Sequence, residues 1–248
     1  PLDLPIPKSF FSITPSQYSY LGAKEMKDID DELMADLKYS VYQLMELAGL
    51  SVAQSLYHYD RELGGADGKK VLVIVGPGNN GGDALVAARH LKFFGHSPVV
   101  YRVYYPKRPK KDLYEELVTQ CENLEIEFID ELPEDITTEA YDYILDGIFG
   151  FSFSGSIRAP FDDVITKMGA SDVPIASIDV PSGWNVDEGN VNGTFTPSMV
   201  ISLTAPKKCM EGFTGAHYIG GRFVPKPIID KYSITLPEYS GLDQFARL

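Results

Sequence analysis

At 248 residues, with a formal net charge of −13, 44% hydrophobic and 23% charged side chains, the chain has the composition of a globular protein able to bury a sizeable core. The acidic balance argues against general nucleic-acid affinity, which needs cationic surface to displace counterions. No apolar run approaches the ~18 residues of a membrane helix.

Residues 1–19 carry four prolines among mixed aromatics and are expected to form an extended arm. Two helical patterns follow, from Gly22 to about Leu37 and from Ser40 to about Tyr57, the second with Ser40 placed as its N-cap. They predict an N-terminal helical hairpin. From Lys70 the pattern alternates. Strand 70–75 leads to helix 82–94, which closes on Gly95 as a C′ glycine. Strand 98–105 leads to helix 112–122, and strand 125–129 to a short helical turn near 133–140. Strand 142–147 leads to helix 160–169. Strands 174–179 and 198–204, a hairpin-like stretch over 217–224 and a short helix over 226–231 complete the reading. Apolar strands alternating with helices imply an α/β fold, a parallel sheet covered on both faces. With no repeats and no linker, one domain over residues 1–248 is expected.

The chemistry concentrates where strands end, the place where ligands bind in open α/β sheets. After strand 70–75, Gly76-Pro77-Gly78-Asn79-Asn80-Gly81 fits the G-x-G-x-x-G phosphate-binding pattern between a strand and a helix. Its glycines are expected to supply positive φ and close ligand approach. Two features depart from a dinucleotide dehydrogenase. The series Asn79, Asn80, Gly81, Gly82, Asp83 has more polar function than a phosphate cradle needs. The second strand, Val99–Tyr105, also ends without the acid expected about 20 residues on for ribose hydroxyls. The basic segment Lys107–Lys111 that follows reads as a solvated turn. Asp146 ends the fourth strand and opens a Gly/Ser/Phe loop, Gly147 to Gly155. Asp179 ends the fifth and precedes Pro181-Ser182-Gly183. Each reads as a functional carboxylate, with a structural turn cap as the alternative. Asn80, Asp146 and Ser182 offer oxygen donors without sulfur or imidazole, a set suited to an alkali or alkaline-earth ion.

Nothing in residues 1–20 reads as a secretory leader. The two cysteines, Cys121 and Cys209, lack CxxC or Cys/His spacing. Reduced thiols in an intracellular compartment are expected, with cytoplasm, mitochondrion and plastid left open.

Six segments in order carry a resemblance: Gln43–Gly49, Gly76–Asp83, Ala88–Lys92, Asp146–Ser152, Ile178–Trp184 and Ser202–Lys207. Together they resemble the NAD(P)H-hydrate epimerase family, the YjeF N-terminal domain. One departure is Ala84, where the family usually has glycine. The resemblance implies a Rossmann-like three-layer αβα sandwich with a mostly parallel central sheet, commonly a homodimer. It also implies interconversion of the R and S forms of hydrated NADH and NADPH (NADHX and NADPHX), a repair of damaged nicotinamide nucleotides. Carried over, Asn79, Asn80, Gly81, Gly82 and Asp83, then Gly150, Phe151, Ser152, Phe153, Ser154, Gly155 and Ser156, and also Asp179, would contact the substrate. Asn80, Asp146 and Ser182 would hold a potassium ion. The substrate is a hemiaminal. Loss of its hydroxyl leaves a nitrogen-stabilised cation, and water returning to the other face inverts the centre. That sequence needs an acid, a base and a carboxylate beside the cation. Asp146 is expected in the acid/base role, helped by Asp179 or by water, with ring opening and reclosure as another route. Lys92 and Lys207 read as solvated. Two rivals are a catalytically silent YjeF-N-type binding or scaffold module and a nicotinamide-dependent oxidoreductase.

Overall fold

The computed structural model describes residues 18–107 and 111–248. Most of the expected arm, and the middle of the basic turn after the second strand, lie outside the described residues. Six helices and eight strands follow in order among them: α1 (Ala23–Ala35), α2 (Val41–Glu62), β1 (Lys70–Val75), α3 (Asn79–Phe93), β2 (Ser97–Arg102), α4 (Asp112–Glu122), β3 (Glu127–Ile129), β4 (Tyr143–Gly147), α5 (Phe161–Ala170), β5 (Ile175–Ile178), β6 (Met199–Leu203), β7 (Ala216–Gly220), α6 (Lys226–Tyr232) and β8 (Phe245–Arg247).

One sheet takes all eight strands in the order β3-β2-β1-β4-β5-β6-β7-β8. Every pairing is parallel except β7 with β8. The chain starts in the middle and winds outward both ways, so the order reverses between β1 and β4. Strand alternation sorts the core. Val71, Val73 and Val75 face α2, α3 and α4, whereas Leu72 and Ile74 face α5. Both faces of β1 are therefore apolar, as a covered parallel strand requires. No helix among the described residues is long and apolar enough to cross a membrane.

Local signals set the helix ends. Ser40 Oγ accepts from the Gln43 amide while Gln43 Oε1 accepts from the Ser40 amide, a reciprocal capping box. At the end of α3, Gly95 takes φ +89°. Its amide and that of His96 donate to the carbonyls of Lys92 and Leu91, the Schellman arrangement. The two N-terminal helices take separate places. α2 lies along α3, while α1 packs its Met26, Ile29 and Leu33 against Ala205 and the Ile228 side of α6.

Three expectations change. The helical turn expected near 133–140 shrinks to a single turn over 138–140, closed by the Ala140 and Tyr141 amides on the Thr137 carbonyl. The stretch after Ala216 is not a hairpin: β7 runs parallel to β6 and meets β8, a three-residue strand from the far C-terminal segment. α3 begins at Asn79 instead of residue 82, because Gly78 is extended and serves as N-cap. The two asparagines thus belong to the first helical turn.

Candidate active site

A cavity of about 650 Å³ opens at the carboxyl ends of β1, β4, β5 and β6, spanning the point where strand order reverses. Its size suits a dinucleotide-scale ligand. One wall is the start of α3, with Asn79, Asn80 and Asp83. A second is the loop after β4, Ile148 to Ser154. Asp179 and Thr204 follow β5 and β6, and α1 supplies Met26, Asp30 and Met34.

The glycines of the first loop act by close approach. None of Gly76, Gly78, Gly81 and Gly82 has positive φ. A Cβ on Gly81 would sit 2.0 Å from the Gly76 carbonyl oxygen. The helix can turn back against the end of β1 only because that side chain is missing. This corrects the expectation of left-handed glycines, and it turns Gly81 and Gly82 inward, away from the cavity wall. The Asn79 side chain is fixed by Tyr114, whose hydroxyl donates to Asn79 Oδ1 (2.7 Å). Asn80 is buried, and its amide nitrogen has no partner.

Asp146 is 0% exposed and is not on the cavity wall. Its Oδ1 accepts from Ser182 Oγ (2.5 Å) and the Ile148 amide (3.3 Å), and its Oδ2 from Ser177 Oγ (2.9 Å) and the Ser182 amide (2.9 Å). Burial pushes its carboxyl up, and these four bonds pull the other way. Ser182, also buried, accepts from the Phe149 amide (3.0 Å). Asp179 Oδ2 accepts from the Phe151 amide (2.8 Å). Three carboxylate or hydroxyl acceptors thus pin the amides of residues 148, 149 and 151 and shape the loop. Gly150 to Ser154 reach the cavity, whereas Gly155 and Ser156 do not border it.

Asp179 has φ +67° and Thr204 φ +69°, left-handed backbone that side chains rarely adopt. Across each, the next amide donates to the preceding carbonyl at 2.8 Å (Val180 to Ile178, Ala205 to Leu203). Such γ-turns are strained, costing on the order of 1–3 kcal/mol each. Two adjacent strands therefore end in strained residues that face the same cavity. Lys207, expected in solvent, is fully buried instead. It is ion-paired to Asp179 Oδ1 and donates to the Leu203 carbonyl (2.5 Å). Its place follows from pairing: a buried ammonium is tolerated only beside a partner. Lys92 is exposed, as read.

Asp83 is 8% exposed, and burial pushes its carboxyl well above the usual range, with Asp179 and Asp30 adding to the rise and Lys207 opposing it. Asp30, which sequence reasoning passed over, is raised to about 6 by burial and by Asp179. Its only sequence signal was a carboxylate four residues from a methionine on each side. Among the described residues no three His, Cys, Asp or Glu side chains group as a metal site. A cation here would rely on amide, hydroxyl and backbone oxygens.

A doubly wound parallel sheet with carboxylates, amides and one buried lysine gathered at its switch point defines a nucleotide-handling α/β protein. The sequence pattern described as YjeF-related protein N-terminus matches residues 41–209, from the start of α2 past Lys207. The chain belongs to that family. A Neurospora crassa protein named NAD(P)H-hydrate epimerase is 49% identical over 234 residues, covering 92% of this chain and 95% of the relative. The crystal structure of yeast ynu0, YNL200c, superposes with a TM-score of 0.85 at 37% identity, covering 93% of this chain and all of the yeast one.

Proposed function

We propose that the strand-end cavity binds hydrated NADH and NADPH and interconverts their R and S epimers. The chain is an NAD(P)H-hydrate epimerase, an isomerase, the activity for which its 49% identical relative is named. One observation carries the chemical reading. A nearly buried carboxyl pushed well above its usual range, Asp83, shares a cavity with Asp179, a carboxylate paired to a buried lysine. Asp83 is the general acid of this reading: it gives a proton to the departing hydroxyl, which leaves as water with the C–O electron pair. Asp179 stands by the cation left on the ring. The return of water to the other face completes the inversion.

Asp146 is reassigned in this reading. With both oxygens occupied by donors and no access to the cavity, it holds the loop over residues 148–151 and moves no proton. Gly81 and Gly82 serve as packing positions, and Asn79, Asn80, Asp83, Asp179 and Gly150 to Ser154 remain the substrate contacts.

Potassium fits part of the donor set. Asn80 has an amide end buried without a partner, and an amide flip exchanges oxygen for nitrogen there. Ser182 Oγ, which donates to Asp146 and accepts from Phe149, keeps one lone pair. Those two would hold the ion, with Asp146 behind Ser182 and joining them only where one of its four donors turns away, and the ion would supply positive charge against the strand-end carboxylates. A homodimer is supported by Met34, Leu37 and Tyr42, apolar side chains left exposed around the α1–α2 corner; a monomer mass by sedimentation would overturn it. An intracellular location is supported by the free thiols Cys121 and Cys209, and cell fractionation tests it.

The deciding assay supplies R-NADHX together with an S-specific, ATP-dependent dehydratase that drains the product. Added protein accelerates consumption, Asp83→Asn lowers kcat by about 10²–10⁴-fold, and replacing potassium with a larger organic cation slows the reaction. Folded wild-type protein that gives no acceleration overturns the reading.

A further inference from the structure

α1 forms a wall of the cavity separate from α3, and its site-facing residues are Met26, Asp30 and Met34, spaced i, i+4, i+8 on one helical face. A carboxylate between two methionines has no surface role to explain it. Three other acids of α1 are each tied to a lysine, Asp28 to Lys24, Asp31 to Lys27 and Glu32 to Lys231, whereas Glu25 in the first turn is not and does not border the cavity. Asp30 has no ion-pair partner among the described residues either, and of the five acids of α1 it alone borders the cavity, half-buried there. The packing that places it there is specific. The Leu21 amide donates to the Pro206 carbonyl (2.8 Å) and the Lys208 amide to the Leu21 carbonyl (3.0 Å), so the entry to α1 is bound to the segment holding Lys207.

The inversion needs two proton-handling groups on different sides of the ring, and α3 supplies one. We infer that Asp30 is the second catalytic residue, accepting the proton of the water that returns to the nicotinamide carbon while Asp83 serves the hydroxyl that leaves. This rests on the epimerase reading above. The step balances. Asp83 protonates the hydroxyl, the C–O bond breaks and water departs with the electron pair. Water then adds from the α1 side, a new C–O bond forms, and its proton passes to Asp30. The enzyme finishes with the proton on Asp30 instead of Asp83, the form from which the opposite epimer reacts, and exchange with solvent restores the first form. The two carboxyls sit at different set points as the roles require. Asp83 is far above the usual range, and Asp30 is near 6, so it is mostly ionised at neutral pH. The charged groups facing Asp30 are Asp83 from α3, Asp179 and Lys207 from the strand ends, and Asp31 on α1 itself.

The test follows both inversion and exchange in Asp30→Asn, using the full chain and R-NADHX in ¹⁸O-water. Inversion is expected to fall about 10²-fold or more in kcat with little change in KM. ¹⁸O should still enter the recovered R form, because Asp83 can release and readmit water on its own side. The limb of the wild-type pH profile near 6 should vanish in the variant, and Asp30→Glu should restore part of the inversion. Wild-type inversion in Asp30→Asn, or equal loss of inversion and exchange, overturns the assignment. Should Asp30→Asn fail to fold, Asp30→Ser is read in the same two assays. Wild-type protein inert in both would overturn the epimerase reading itself.

Discussion

Replacing Lys207 with methionine keeps the buried aliphatic stem and removes only the ammonium. The side chains of Lys207 and Asp179 are 0% and 5% exposed, so solvent cannot take over the lost partner. Asp179 would retain the amides of Phe151 (2.8 Å) and Leu203 (3.3 Å), with Asp30 still close enough to repel it. Breaking a buried pair from one side costs about 3–5 kcal/mol, a large share of the ~5–15 kcal/mol that stabilises a typical domain. At roughly 2–4 °C per kcal/mol for a chain of this size, Tm should drop by about 6–20 °C. Adding Asp179→Asn removes the stranded charge. The double variant should then recover at least about 2 kcal/mol over Lys207→Met. Urea unfolding of wild type, both single variants and the double variant closes the cycle. A Lys207→Met loss below about 1 kcal/mol, the size of a surface pair, would refute the argument. So would a double variant no more stable than the single one.

Gly81→Ala pits a helix-propensity gain of ~1 kcal/mol against a Cβ placed 2.0 Å from the Gly76 carbonyl oxygen. The Cβ meets a backbone oxygen that cannot swing aside, and the clash should win by about 2 kcal/mol or more, lowering the urea midpoint. Ser182→Ala removes a donor to Asp146 and the acceptor of the Phe149 amide. A loss of about 2–4 kcal/mol, with faster hydrogen exchange at Phe149, is expected; unchanged exchange there would mean that Ser182 does not hold the loop. The folded pKa of Asp30 lies above its unfolded value, so the native state binds the proton more tightly. The stability this adds is full below about pH 3.8 and is lost as pH rises through about 6. The rise corresponds to at most ~3 kcal/mol, and partial exposure reduces it to ~1 kcal/mol. Asp30→Asn should therefore match wild type near pH 3.5 and exceed it by about that amount at pH 7. Equal stability of the two proteins at both pH values would contradict the burial argument.

The sequence by itself determined the elements and where the chemistry would gather. Apolar periodicity, the Ser40 capping box, Gly95 and the glycine corner after β1 act within a few residues of themselves. Their meaning survives without knowing what packs against them. Polar groups at apolar strand ends pointed to the carboxyl edge of a parallel sheet for the same reason. Only tertiary structure decided which of those groups face the cavity. Asp146 and Asp179 look alike in sequence, yet Ser177 and Ser182 enclose the first, while a left-handed turn presents the second beside Lys207. The burial of Lys207 depends on a partner 28 residues away, and a charged side chain carries no local mark of such a partner. Asp30 arrives from a helix whose placement is set by its contacts with α6 and the segment after β6. β8 has too few residues for a pattern, and its pairing exists only because the C-terminal segment returns to the open edge of β7. Periodicity is a property of neighbours in the chain. Proton chemistry here is a property of neighbours in space, brought together by an order of strands that no local signal encodes.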